Sequence, residues 1–370
     1  MRRWSFILTC LLFLLFSSLS EARRTYTTAE QKVALVNVKT IFVNVLALTE
    51  RGRQDPSALR DVVQNRLEQI GYTVVTERKL PHDVEFKVKC EERKTWTGTT
   101  TSGGDAELAY SPSRLWKGPA CLFTYSLKGK NLGWYKEVRT KFEDSIRAAH
   151  QAKVKDSGMF ALEKLSQQLQ TFDFPLLITA EWGQVDRLLT ILDAPTTNKI
   201  RKLRILSILS TLHEEKALNA DKALSKIQEF LHDKDFQEEA ITALAGTGRR
   251  AIPLLRTLFQ TSTVNVIRAR AAKALGSVGA TTGDFRSVAP LLAYLKQVLP
   301  TIKTSQDIDF PVLTEVMWAL GKLKTDEAFK PVKELEKRIW LIHDRSKQMA
   351  DLREATSWTD LQLDPFLYQG

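Results

Sequence analysis

The chain has 370 residues, 43% of them hydrophobic and 26% charged, with a formal net charge of +11 at pH 7. This composition excludes a disordered chain and is long enough for two domains that each bury a core. No HExxH, GxSxG, GxGxxG, CxxC or zinc-spaced Cys/His pattern occurs, so no catalytic or metal motif stands out, and no cofactor is expected.

At the N-terminus, Arg2 and Arg3 precede an apolar run from Phe6 to Phe16 and the small residues Ser17 to Ala22. That order is a secretory signal peptide over residues 1–22, with Ser20-Glu21-Ala22 as the cleavage site. The run is short against the roughly 20 residues of a spanning helix, and no later segment could cross a bilayer, so an integral membrane protein is not expected. Export to the periplasm or beyond makes nucleic acid an improbable partner for the basic charge. Residues 23–170 hold 25 basic and 17 acidic side chains, against 27 and 25 in residues 171–370. An anionic lipid or glycan surface, or an acidic partner protein, fits that N-terminal excess.

Residues 32–48, KVALVNVKTIFVNVLAL, read as a long first strand. A helix follows in DPSALRDVVQNRLEQIGY, with Asp55 as cap, Pro56 in the first turn, Gly71 at the end and Leu59, Val62, Val63, Leu67 and Ile70 on the apolar face. Strands are expected near 72–77, 84–95, 120–129 and 134–142. Val84, Phe86, Val88 and Cys90 alternate onto one face, as do Cys121, Phe123, Tyr125 and Leu127. Cys90 and Cys121 thus reach the buried side of neighbouring strands, and in an oxidising compartment a disulfide is expected between them. The Thr/Gly/Ser-rich stretch from Thr95 to Gly118 reads as a hairpin tip, flanked by Trp96 and Trp116. A helix carrying Phe160, Leu162, Leu165 and Leu169 completes an α+β domain over residues 31–171. Its architecture is a small α/β sandwich with helices on one face of a largely antiparallel sheet. Lys128, Lys130, Lys136, Arg139 and Lys141 surround its last hairpin near Trp134 and form one candidate binding surface. TFDFPLLITAEWG then reads as a linker.

From residue 182 onward the strand signals give way to a repeat. Ile267, Ala271, Ala274, Leu275 and Val278 define a helical frame that recurs at Val312, Val316, Ala319, Leu320 and Leu323. It also recurs at Phe236, Ala240, Ala243, Leu244 and Thr247, and at Arg201, Ile205, Ile208, Leu209 and Leu212. The last three copies are each followed by a second helix with Pro253, Pro290 or Pro331 in its first turn. RLLTILD, before the first copy, reads as the trailing helix of a partial repeat. Gly276 permits close helix approach, and Gly279 lets the chain leave its helix. The apolar tail 351–370, with Trp358, Leu361, Leu363, Phe366, Leu367 and Tyr368, is expected to cap the array.

Tandem two-helix units with AAKALGSVG in the first helix resemble HEAT repeats of the short bacterial type related to phycobilisome-lyase repeats. The resemblance covers about residues 182–345 and departs from the pattern at the insertion TSQDIDF and in the first copy, which lacks the glycine and the proline. It implies a HEAT-like α-solenoid over residues 172–350 that binds protein or peptide partners along an extended surface. Metal-dependent hydroxylases of this fold use several His-Glu pairs. Only His213-Glu214 is present here, so the resemblance does not extend to that site. Arg249, Arg250, Arg256, Arg268 and Arg270, with Lys273, could meet an acidic partner. Alternatively, such arginines, Arg268 above all, tie adjacent units together through loop carbonyls. The expected function is a non-enzymatic exported scaffold in the cell envelope. The alternatives are a HEAT-like lyase or other enzyme with an inter-domain site using His150 or His213, and a module for anionic lipid or glycan.

Overall fold

A computed structural model describes residues 27–92, 94–98, 113–132, 134, 136–212 and 220–364, with 94–98 and 113–117 as backbone alone. The signal-peptide segment, the His213-Glu214 pair, the side chains of Trp96 and Trp116, and Phe366, Leu367 and Tyr368 lie outside the described residues. The chain forms two compact units, residues up to Pro175 and residues from Leu176.

The first unit opens with a helix, α1 (Ala29–Val36), where a strand was expected. The cause is a capping box at Thr28: its hydroxyl accepts from the Gln31 N–H, and the Gln31 side chain accepts from the Thr28 N–H. β1 (Thr40–Thr49) therefore begins late, and its start is held by the Asp83 carboxylate, which accepts from the Lys39 and Thr40 N–H groups, both at 2.8 Å. β2 (Gly52–Gln54), α2 (Ser57–Glu68), β3 (Thr73–Val75) and β4 (Val84–Glu91) follow. β5 (Lys94–Gly98) and β6 (Ser113–Lys117) form the arms of a separate two-stranded hairpin. β7 (Ala120–Leu127), β8 (Lys130–Asn131) and β9 (Lys136–Arg139) complete the strands.

The main sheet has the order β2-β1-β4-β7-β8, with β3 also on β1 and β9 also on β7. It is mixed: four of its strand pairings are antiparallel, as expected, but β1 runs parallel to both β3 and β4. The crossover through α2 returns the chain to the end of β1 where it started, and a parallel partner is the result. One face carries the core. Ile41, Val43, Val45 and Ala47 stand opposite Val84, Phe86, Val88 and Cys90, which in turn face Leu127, Tyr125, Phe123 and Cys121. Cys90 and Cys121 are directly opposed, fully buried and joined by a disulfide with S–S 2.04 Å. α3 (Ser145–Gln151) and α4 (Ser157–Thr171) start side by side on Glu92. The buried Glu92 carboxylate accepts from the hydroxyls of Ser145 and Ser157, the first residue of each helix, at 3.0 and 2.9 Å, and from the Glu50 N–H. An anion at two helix N-termini is well placed electrostatically.

The segment expected to be a linker is a helix, α5 (Phe174–Glu181). Phe174, Leu176, Ile178 and Trp182 are all fully buried, a degree of burial that an exposed linker could not supply. The second unit continues with α6 (Val185–Asp193), α7 (Lys199–Leu209), α8 (Ala220–Glu229), α9 (Gln237–Leu244) and α10 (Ile252–Thr261). α11 (Asn265–Thr282), α12 (Val288–Val298), α13 (Phe310–Leu323), α14 (Phe329–Leu341) and α15 (Lys347–Leu363) complete it. α7, α9, α11, α13 and α15 form a row in which each helix packs on the next. α8, α10, α12 and α14 each pack against the row helix that follows them. Every position of the recurring frame is buried except Arg201 and Phe236, which are half-buried. The three prolines lie within the first turns of α10, α12 and α14.

Row helices meet at backbone distance. A Cβ built on Gly276 would stand 2.6 Å from both Cα and Cβ of Ala319. On Gly246 it would meet the Leu209 carbonyl oxygen, and on Gly321 the Trp358 ring. Gly279 is a packing residue too, because its Cβ would strike Leu323. The helix exit falls instead at Gly283, which takes the left-handed conformation with φ 67°. The apolar tail is largely the helix α15, starting before residue 351. It lies on α13 and α14, with the Trp358 and Trp318 rings 5.0 Å apart and the Thr359 hydroxyl donating to the Met317 carbonyl at 2.7 Å.

Gly276→Ala places a methyl against Ala319 backbone and should cost about 1–3 kcal/mol, the usual range for overpacking a filled core. Ser277→Ala, one position along and half-buried, is the control. Chemical denaturation of the two variants measures the difference.

Candidate functional site

Four of the five arginines singled out from the sequence are held by partners within the helical unit. Arg249 Nη2 donates to the Thr282 carbonyl at 2.6 Å, and Arg250 pairs with Asp221 at 2.6 Å. Arg270 pairs with Glu238 of the preceding row helix at 3.2 Å. Arg256 is half-buried on α10, where its Nε finds no acceptor among the described residues. Arg268 is the most enclosed in its role. Its guanidinium lies 5.1 Å from the Tyr294 ring centre and 5.9 Å from that of Phe259. Its Nε donates to the Phe259 carbonyl at 3.4 Å, and Nη1 stands 3.6 Å from Asp309. One side chain of α11 thus joins α10, α12 and the start of α13.

That cluster shifts its own acid groups. Burial, then the Asp309 charge, pushes the Tyr294 hydroxyl up to about 12, with Arg268 acting in the opposite sense. Burial likewise raises the Asp309 carboxyl, while the Val312 N–H and Arg268 offset part of the effect. Nearby, Asp284 is held below the usual carboxylate range, first by hydrogen bonds from Arg286 and further by the charges of Arg286 and Arg249. Lys273 is half-buried on α11. Desolvation of its ammonium, with the nearby Lys273 charge, holds Lys322 below the usual ammonium range, while the Glu315 charge acts in the opposite sense.

In the sheet unit, Lys128, Lys130 and Lys136 are exposed, with no carboxylate partner among the described residues. Lys128 and Gly129 form the tight β7–β8 turn with φ 47° and 80°. Trp134 does not join the lysines at the surface. It is 7% exposed, and its ring lies 5.9 Å from that of Tyr125 in the core, so it leaves the set of surface candidates. Arg139 is paired with Glu137. His150 is exposed at the end of α3. Among the described residues no three His, Cys, Asp or Glu side chains come together as a metal-binding group. No helix among them is long and apolar enough to cross a membrane.

The open concavity that the row does build was missed in the sequence. It has a volume of about 330 Å³ and lies where α11, α13 and α15 begin. Val266, Ala269, Phe310 and Pro311 supply apolar walls, and Thr314 and Gln348 supply neutral polar groups. Its charged residues are Arg270, already tied to Glu238, and two carboxylates, Glu315 and Asp351. Neither carboxylate has a hydrogen bond or close ion pair among the described residues, although Glu315 interacts electrostatically with Lys322. The charge available to a visitor is therefore negative, although the chain as a whole is basic. A cue existed in the departure from the repeat at TSQDIDF, which ends at Phe310 and sets the start of α13.

Arg268→Ala should destabilise the helical unit by about 1–3 kcal/mol, because it strands Asp309 and uncovers two aromatic rings. Lys273→Ala should change stability by less than about 0.5 kcal/mol, the usual scale for substitutions away from such contacts. Urea denaturation of both variants checks the contrast. Neither a protein-family model nor a curated protein matches this chain, and its function is to be read from the surfaces described above.

Proposed function

We propose that the chain is an exported, non-catalytic scaffold, periplasmic or secreted, whose helix pairs make a HEAT-like solenoid and hold a peptide segment of an envelope protein. The groove at the starts of α11, α13 and α15 carries this reading. Its apolar walls suit aliphatic or aromatic side chains, and the Glu315 and Asp351 carboxylates, neither in a close ion pair, suit a lysine or arginine beside them. The partner segment is thus apolar and basic, not acidic. Of the arginines that favoured an acidic partner, Arg249, Arg250, Arg268 and Arg270 are occupied by partners in neighbouring elements. The recurring frame, the first-turn prolines and the row of helices support the solenoid. The apolar run at residues 6–16 supports export, as does the Cys90–Cys121 disulfide.

A second reading has its own support in the sheet unit. Unpaired, exposed Lys128, Lys130 and Lys136 would let this unit rest on an anionic lipid or glycan surface while the helical unit holds its peptide.

Two experiments test these readings separately. A photo-crosslinking residue at position 314, in the groove, should capture a discrete partner in the envelope. Changing Glu315 and Asp351 to lysine should abolish the capture, and a crosslinker at exposed position 296 on α12 should not give it. The same products from 314 and 296 would refute the groove. For the sheet unit, the full mature chain should co-sediment with vesicles of phosphatidylcholine and phosphatidylglycerol at low salt. Raising salt, or changing Lys128, Lys130 and Lys136 to glutamate, should release it. Binding indifferent to both would dismiss the second reading.

A further inference from the structure

A second concavity of the helical unit lies between the end of α14 and the start of α15, with a volume of about 460 Å³. This falls within the roughly 300–1,000 Å³ usual for small-molecule sites. It is lined by Trp340, Ile342, His343, Asp344, Arg345 and Arg353. Trp340 is 58% exposed, an unusual degree for the largest apolar side chain. Its ring is oriented by Arg353, whose guanidinium carbon stands 5.1 Å from the ring centre.

Arg353 is fixed in turn. Its Nη2 donates to the carbonyls of Ile339 and Ile342 at 3.0 and 2.7 Å, and Nη1 to that of Asp344 at 3.2 Å. These acceptors are neutral carbonyls, and within the lining the guanidinium charge is met by the Asp344 carboxylate, which it attracts. Arg345 and His343 are exposed, and neither has a hydrogen bond or ion pair among the described residues. The one carboxylate in the lining, Asp344, accepts from the Ser346 N–H at 2.7 Å. Hydrogen bonds from Ser346, first its N–H and then its hydroxyl, hold that carboxyl below the usual range against the effect of burial, with a Ser305 hydrogen bond and the Arg353 charge adding to them, so it stays an acceptor at neutral pH. The lining therefore combines a flat apolar ring fixed from one side, two guanidinium charges, an imidazole and a single acceptor anion.

We infer that this concavity is a binding site for an acidic oligosaccharide, a ring sugar bearing a carboxylate. The indole plane packs against the apolar C–H face of the sugar ring. Arg345, which has no partner among the described residues, takes the carboxylate through its fork of N–H donors, while Arg353, its charge partly met by Asp344, holds the indole in place. Asp344 accepts from a ring hydroxyl, and His343 hydrogen-bonds another. A bare phosphate would use the guanidinium groups but leave the exposed indole without a role. A neutral sugar would use the indole but leave Arg345 without one. The site is distinct from the peptide groove, and its standing is independent of the proposed function.

Calorimetric titration of the full mature chain with tetragalacturonate tests it, with a neutral galactose tetramer and inorganic phosphate as comparison probes. The acidic tetramer should bind at least roughly tenfold more tightly than the neutral one, and phosphate should not displace it. Trp340→Ala and Arg345→Gln should each weaken binding by about tenfold or more, with thermal unfolding unchanged because both side chains are exposed. Trp340→Phe, which keeps a ring, should retain most of the affinity. Equal binding of acidic and neutral tetramers, displacement by phosphate, wild-type affinity in either loss variant, or no binding at millimolar sugar would each overturn the assignment.

Discussion

The helical unit depends on one steric constraint, that neighbouring row helices touch backbone to backbone. Gly276 meets the Ala319 backbone and Gly246 the Leu209 carbonyl, while Gly321 admits the Trp358 ring of the next row helix. Such contact is available only where Cβ is absent on one side and no larger than a methyl, or a movable ring, on the other. It leaves room only for small side chains between the helices, so the interior is built from the alanine- and leucine-rich frame with a few buried threonines such as Thr359. Larger side chains are displaced to the margins. Trp318 and Trp358 meet at such a margin, and at the helix starts Phe310, Pro311 and Val266 open a groove in place of a seam.

Much of this unit was legible in its sequence because a repeat reads the same constraint several times over. One alanine-rich helix is ambiguous between a ligand seat and a packing face. Four copies in phase, three of them followed by a first-turn proline, identify a stacking face. The disulfide was legible for a related reason, since period-2 alternation put both cysteines on core faces and the register then set them opposite each other. Failures came where a local signal was outweighed by something the alternation could not report. The stretch KVALVNV has strand-like residues, yet the Thr28–Gln31 capping box starts a helix there. The parallel pairing of β1 with β3 and β4 depends on how the chain crosses over, which side-chain alternation does not encode. TFDFPLLITAEWG is short and ends in glycine, so it reads as a connection, and only its burial reveals a helix.

The candidate site was less legible, for an electrostatic reason. Lysine and arginine count equally towards net charge but differ in what the fold does with them. A guanidinium can satisfy two or three carbonyls at once and lie flat on an aromatic ring, whereas an ammonium is a compact and strongly hydrated charge. The fold uses that difference repeatedly. Arg66 reaches the Phe172 carbonyl in the sheet unit. Arg249, Arg268, Arg338 and Arg353 each reach carbonyls at the ends of helices or in the turns beyond them. Such carbonyls lack partners within their own helix, so an arginine there answers a need of the backbone.

The basic composition is therefore a poor guide to what the helical surface offers. Once the arginines that join or cap elements are set aside, the charges lining the groove are the carboxylates Glu315 and Asp351, the opposite sign to the chain's net charge. The sheet unit differs, because its exposed cations at the β7–β8 hairpin are lysines with no carbonyl to serve. The same reasoning singles out Arg345 in the second concavity. Among the arginines near α14 and α15, Arg338 and Arg353 are bound to carbonyls, while Arg345 has no partner among the described residues. An arginine without a structural task, standing beside an exposed indole that a neighbouring arginine orients, is where recognition of an anion costs the fold least.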